Sequence, residues 1–207
     1  MPTKHDAHIL EINVAPEKEL HILYMSEKEF YDFCAANPEL RVEREKDGKV
    51  IVMSPVGLTS SIVENEISSE LRNWNKQTKL GKAFNASGGF KLPDGSIKAA
   101  DAAWMTKAKW KALPPFERKK FSRVVPDFVA EVRSTTDALK KLKTKMEDTW
   151  IENGVRLAWL IDPSEQKTYV YRIDGSIEVV NGFEHILPGE DVLPGFEFDL
   201  SLLLEDD

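Results

Sequence analysis

The chain has 207 residues, 42% of them hydrophobic and 30% charged, and a net charge of −7. That length makes one domain the default, the balance is ordinary for a soluble globular protein, and nothing approaches the roughly 18 consecutive apolar residues of a membrane span. The acidic balance argues against a passive nucleic-acid coat protein but allows an enzyme with a locally basic groove, and the single cysteine, Cys34, excludes a disulfide framework and fits a reducing, cytoplasmic setting.

Residues 1–25 read as a polar N-terminal arm, with a short edge strand over 8–14 and no apolar stretch that would make a signal peptide. Residues 26–207 read as a single domain. Ser26 with Glu29 makes a capping box, and the helix that it opens ends before Pro38. Residues 40–45 and 49–53, joined through Lys46–Asp47–Gly48, carry a hairpin signature. After the turn at Ser54–Pro55–Val56–Gly57, Thr59 or Ser60 caps a long amphipathic helix over 58–80. Ile62, Ile67, Leu71 and Trp74 face inward on it, and Gly81 ends it. Residues 83–90 form a glycine-containing strand or bend, and 96–105 another strand with Ala99, Asp101 and Ala103 on one face. An aspartate among alanines is an unusual choice for a strand. The basic segment 107–123, with Trp104 and Trp110 nearby, is suited to touching a phosphate backbone or to serving as a dimer arm.

The stretch 125–163 organises the rest. Phe128, Ala130 and Val132 point to one side of a strand, and Asp127, Val129, Glu131 and Arg133 to the other, so the strand is central and Glu131 either has a buried partner or lines a site. Ser134–Thr136 cap a helix over 137–153 that carries the stripe Leu139, Leu142, Met146, Trp150 and puts Lys145 at its border; Gly154 stops it. Residues 155–161 return as a parallel strand, and this crossover places Glu131 near a strand's carboxyl end with Lys145 above it, where open sheets place chemistry. A hairpin over 167–180 turns at Asp174–Gly175.

Three acids recur at strand positions: Glu43, Asp101 and Glu131. If the strands of Asp101 and Glu131 are neighbours, their carboxylates can share a Mg²⁺ or Mn²⁺ ion, with Lys145 steadying a water near a phosphodiester. Each residue also has a plainer reading: an ion pair for Glu131, backbone hydrogen bonds for Asp101, a solvated hairpin charge for Glu43 and a surface lysine for Lys145. Glu64, Asn65 or Glu66 on the long helix can add a ligand or simply form its polar face. The four histidines lie scattered, Cys34 reads as core, and Gly88–Gly89 matches neither a P-loop nor a dinucleotide fingerprint.

The chain resembles the Uma2 family of the PD-(D/E)XK nuclease superfamily over residues 26–203. The marks are VEREKDGKVIVMSPVG, an Asp on the middle strand (Asp101), the block PDFVAEVRSTTDALKKLKTKMEDTWIENGVRLAWLIDP, and a tail like DVLPGFEFDLSLLL. The resemblance implies an α/β restriction endonuclease-like core, a mixed, bent central sheet flanked by helices. It implies a Mg²⁺- or Mn²⁺-dependent DNA endonuclease, plausible as a homodimer. Asp101 and Glu131 match the metal-binding acids, Glu43 the first acid of the family, and Lys145 the catalytic lysine, displaced from strand to helix, which leaves Arg133 two residues after Glu131. Glu64 or Glu66 matches the superfamily's helical Glu. The chain departs from the family at Leu58, Thr59 and Ser60, where many members have a His, and at Ala100, where many have Pro. Two rival readings stand beside it: a binding or structural protein on a decayed nuclease fold, and an enzyme acting on another phosphate ester or on RNA.

Overall fold

The computed structural model describes residues 23–204, so the strand expected over 8–14 and most of the expected arm lie outside the described residues. The capping box forms as the sequence predicts: Ser26 Oγ accepts from the Glu29 N–H, Glu29 Oε2 accepts from the Ser26 N–H at 2.8 Å, and α1 (Glu27–Ala36) follows. Strands β1 (Val42–Arg44) and β2 (Val50–Val52) make the expected hairpin, with Gly48 at a φ of 95° in its turn.

Helix α2 (Leu58–Thr78) departs from expectation at both ends. Gly57 occupies the N-cap, not Thr59 or Ser60, and left-handed Lys79 closes the helix. Gly81 instead opens β3 (Gly81–Asn85), where a Cβ would lie 2.1 Å from the Met105 carbonyl oxygen. The inward stripe is Val63, Ile67, Leu71 and Trp74; Ile62 is 66% exposed, because the run of 4-, 4- and 3-residue steps begins one residue later.

The strand expected over 96–105 is broken. After β4 (Phe90–Lys91), β5 (Ile97–Lys98) and β6 (Ala102–Thr106) belong to different sheets, and Asp101 stands in the bend between them. Then come α3 (Lys107–Ala112), a 3₁₀ turn (Glu117–Lys119), β7 (Ser122–Arg123) and β8 (Phe128–Val132). Ser134 and Thr136 do not cap the next helix. Ser134 donates from N and Oγ to Asp137 Oδ2 in a tight turn, and α4 (Leu139–Thr144) starts after Ala138. Its continuation, Lys145–Ile151, is π-helical, and Gly154 follows at a φ of 100°. Strands β9 (Leu157–Asp162), β10 (Lys167–Arg172), β11 (Ile177–Asn181), β12 (Ile186–Pro188) and β13 (Glu197–Asp199) and a 3₁₀ turn (Leu200–Leu203) complete the order.

A six-stranded mixed sheet runs β11-β10-β9-β8-β6-β3, with β8 and β9 parallel, and a five-stranded sheet runs β2-β1-β5-β4-β7. One face of the larger sheet (Trp104, Phe128, Ala130, Trp159) packs on α2 and on Phe196 and Phe198 of the C-terminal segment. Its other face (Ala103, Val129, Leu160) packs on Met146 and Trp150, with Leu139 and Leu142 at the margin, so the expected α/β layering holds. The smaller sheet covers Phe30 of α1 with Val50 and Ile97. Among the described residues no helix is long and apolar enough to cross a membrane.

Two buried side chains carry a polar atom with no hydrogen-bond partner among the described residues, Trp159 at its indole nitrogen and Thr168 at its hydroxyl. Thr168 is fully buried. An unpaired buried hydroxyl costs about 1–3 kcal/mol, so Thr168→Val is expected to raise stability by about 1 kcal/mol in urea titration. A loss of stability would show that the hydroxyl is satisfied.

Candidate active site

Glu131 lies one residue from the end of β8, in the middle of the larger sheet, and is 5% exposed. Two side chains of the π-helical segment reach it. Trp150 Nε1 donates to Oε1 at 2.8 Å, and Lys145 Nζ lies 2.9 Å from Oε1 and donates to Oε2 at 3.0 Å. Residues five apart in an α-helix point about 140° away from each other. The π-turn, whose hydrogen bonds span five residues, puts Lys145 and Trp150 on one face. It therefore moves Lys145 from the border of the apolar stripe, where an α-helix would leave it, to the carboxylate. A π-bulge of this kind recurs at functional sites.

Glu43 arrives from β1 in the other sheet. Its Oε1 accepts from the Ala99 N–H at 3.2 Å and lies 3.6 Å from Lys145 Nζ; its Oε2 lies 3.1 Å from Lys98 Nζ. Lys98, 3% exposed, also binds Glu45 at 2.6 Å. Asp101, at the corner between the sheets, accepts from the Val132 N–H at 2.8 Å, which ties that corner to β8 beside Glu131. Its other oxygen makes no hydrogen bond among the described residues. Glu43, Asp101, Glu131 and Lys145 are thus brought together from four separate elements. Of the two helical candidates, Glu64 faces the group, since its charge acts on both Asp101 and Glu131. Glu66 stands about 200° further round the helix.

The electrostatics follow from burial and like charge. Burial, reinforced by Glu64, pushes Asp101 up to about 6 although the Val132 N–H pulls it down. Burial also pushes Glu131 up to about 7; Lys145 opposes this, and Asp101 and Glu43 add to it. Glu64 is raised by burial and by Glu131, against Arg41. Burial opposes the charges of Glu43 and Lys145, but their partners outweigh it: Lys145 and Lys98 hold Glu43 below its ordinary value, and Glu131 and Glu43 hold Lys145 above its own. One lysine therefore leaves two neighbouring carboxyls under-compensated.

That imbalance and an all-oxygen donor set fit a hard divalent cation. Among the described residues no trio of His, Cys, Asp and Glu is arranged to hold one. Asp101 and Glu131 are the two carboxylates that could supply part of such a shell. This suits Mg²⁺, which keeps several waters and completes its shell with substrate oxygens.

The model of the family Uma2, described as "Putative restriction endonuclease", matches residues 27–202. The chain belongs to the Uma2 family. A solved structure with a similar fold is "a putative nuclease belonging to DUF820 from Anabaena variabilis ATCC 29413". It is 21% identical, covers 87% of this chain and 99% of that chain, and has a TM-score of 0.70. No curated protein matches.

Within this Uma2 chain, Arg133 is accounted for away from the cluster: its Nη1 binds buried Asp162 at 2.7 Å. Buried Asp127 is likewise occupied, accepting from the Thr106 N–H and pairing with Lys109 at 2.9 Å. Leu58, the first residue after the turn that ends at Gly57, is 86% exposed. Trp104 cannot serve a phosphate contact, because it is buried in the core and its indole N–H binds Asn75. Two members of the cluster escaped sequence reasoning. Trp150 reads only as core, while Lys98 did leave a signal, as a lone cation in the otherwise apolar run Ile97–Ala100.

Proposed function

We propose that this Uma2 chain is a Mg²⁺- or Mn²⁺-dependent endonuclease that hydrolyses phosphodiester bonds of DNA. The observation that carries this reading is the meeting of half-buried Asp101 and buried Glu131, two mutually repelling carboxylates, with the ammonium of Lys145 at the end of the central strands. Asp101 and Glu131 would hold the ion. When bound, the ion supplies Lewis-acid polarisation of the phosphodiester and a water more readily deprotonated.

The chain's own groups supply the rest. Lys145, kept charged by Glu131 and Glu43, donates hydrogen bonds to the attacking water and offsets negative charge building on the phosphoryl oxygens. Glu43, itself clamped by Lys98, fixes where Lys145 can reach. Trp150 holds the Glu131 carboxylate in one orientation. Residues 26–207 act as one nuclease domain, and a two-fold pair of chains sets one site on each DNA strand. The cytoplasm is the compartment in which a lone cysteine and DNA fit together.

A second reading has one observation in its favour. Leu58, Thr59 and Ser60 stand where the family resemblance would lead one to expect a His, a departure that suits a DNA-binding protein on a decayed nuclease fold. A substrate panel separates the readings. Supercoiled DNA, linear DNA and RNA are each incubated with Mg²⁺, Mn²⁺ or EDTA. Metal-dependent nicking of DNA, abolished by EDTA, is expected; binding without cleavage under every metal would transfer the conclusion to the decayed fold, and cleavage of RNA alone to a ribonuclease.

A further inference from the structure

The acidic cluster has a basic neighbour. A cavity of about 430 Å³ opens between α1, the loop before β4 and the segment 107–123. Its walls include five aromatic rings, Tyr31, Phe84, Phe90, Trp110 and Phe121, with Arg118 and Lys120 among them. The rings cluster: Phe84 and Trp110 lie 6.2 Å apart, Tyr31 and Phe121 6.0 Å. Cations already stand over them, with the Arg118 guanidinium 5.0 Å from the Trp110 centroid and Lys120 Nζ 5.8 Å from Tyr31. In a chain of net charge −7, residues 107–123 carry seven basic side chains and one acidic.

The cavity's position links it to the cluster. Phe90, on its wall, pairs with Lys98 across β4 and β5, and Lys98 grips Glu43 on the next strand, β1. Neighbouring strands lie about 4.8 Å apart, so the cavity wall at β4 stands roughly 10 Å from β1, the strand that carries Glu43. Arg41 bridges part of that gap, donating to the Ala86 carbonyl while its charge acts on Glu64 and Asp101.

We propose that this cavity receives an unpaired base of the DNA strand presented to the acidic cluster, so that the substrate is DNA with a single-stranded region. This rests on the nuclease reading and narrows its substrate. Aromatic faces beside cations are the chemistry that holds single strands: a base stacks on a ring while Arg and Lys meet the flanking phosphates. The volume falls in the range of small-ligand sites, roughly 300–1,000 Å³, which suits one base and not a duplex. A paired base keeps both faces inside its own stack and offers this cavity only phosphate.

The test measures binding, not cleavage. Fluorescence anisotropy follows a labelled thymidine single strand and a duplex of the same length, in EDTA. The wild type is expected to prefer the single strand. Trp110→Ala, and separately Tyr31→Ala on the exposed face of α1, each weaken single-strand binding about tenfold and leave duplex binding unchanged. Tyr31 keeps the test open should the half-buried Trp110 prove necessary for folding. No single-strand preference in the wild type, or wild-type affinity in the folded variants, overturns the proposal. The nuclease reading fails separately, on single-strand binding that is intact while no metal supports cleavage.

Discussion

Replacing Lys145 by alanine is expected to cut the rate of metal-dependent DNA cleavage by about 10²–10³-fold, the usual cost of removing one preorganised donor from a site of developing charge. The same change bears on stability. Lys145 Nζ stands 2.9 Å from Glu131 and 3.6 Å from Glu43, both buried, and its removal leaves Glu131 facing Asp101 with no cation close by. Breaking such a pair from one side costs about 3–5 kcal/mol when the remaining charge must stay ionised. Glu131, already raised to about 7, escapes part of that cost by taking up a proton. The loss is therefore small at pH 6 and grows as the pH rises above 7, a trend that urea titrations at the two pH values would reveal. Lys145→Arg is not expected to restore cleavage, since a planar guanidinium does not match the point contact of an ammonium held between two carboxylates. Rapid cleavage by Lys145→Ala would remove the lysine from the chemistry.

Replacing Asp101 by asparagine is expected to abolish cleavage while making the protein more stable at pH 8. The sign follows from linkage. Asp101 is raised from 3.8 to about 6 in the folded chain, so its contribution to stability is full below about 3.8 and is lost as the pH rises through about 6. At pH 8 the ionised group weighs against folding. The full shift corresponds to about 3 kcal/mol; partial exposure of Asp101 reduces this to about 2 kcal/mol. Asparagine keeps an oxygen to accept from the Val132 N–H and carries no charge, so it recovers that amount at pH 8 and little at pH 4. Added Mg²⁺ is expected to raise the melting temperature of the wild type and not of the variant, since a ligand stabilises only the fold that binds it. Destabilisation of a folded Asp101→Asn protein at pH 8 would show that its charge is compensated by something other than a metal. A site that trades stability for function in this way is a common arrangement.

What the sequence could convey depended on how local the cause was. Strand β8 was legible because the alternation of Phe128, Ala130 and Val132 with Val129 and Glu131 reports directly on two buried faces. The hairpin of β1 and β2 was legible from Asp47–Gly48, and the parallel return of β9 from the length of the crossover. The corner at Asp101 was not, because 96–105 reads as one continuous strand; only its pairing shows β5 and β6 parting into two sheets. The inward stripe of α2 slipped by one residue, from Ile62 to Val63, since Ile62 is as apolar as its neighbour. The π-turn was invisible because helical propensity does not distinguish one backbone hydrogen-bond spacing from another. Yet that turn is what lets Lys145 and Trp150 share Glu131. The juxtaposition of Glu43, Asp101, Glu131 and Lys145 followed from family resemblance more than from spacing, while Lys98 joined it through a strand pairing that no local pattern encodes.

The proposed nuclease activity requires that Glu131 and Lys145 act on DNA together. The most direct measurement is nicking of supercoiled DNA in Mg²⁺ or Mn²⁺ by the wild type, Glu131→Ala and Lys145→Ala, each shown to be folded by circular dichroism. Cleavage by the wild type, and its loss in both variants, is expected. Equal cleavage by all three, or none by the wild type under either metal, would contradict it.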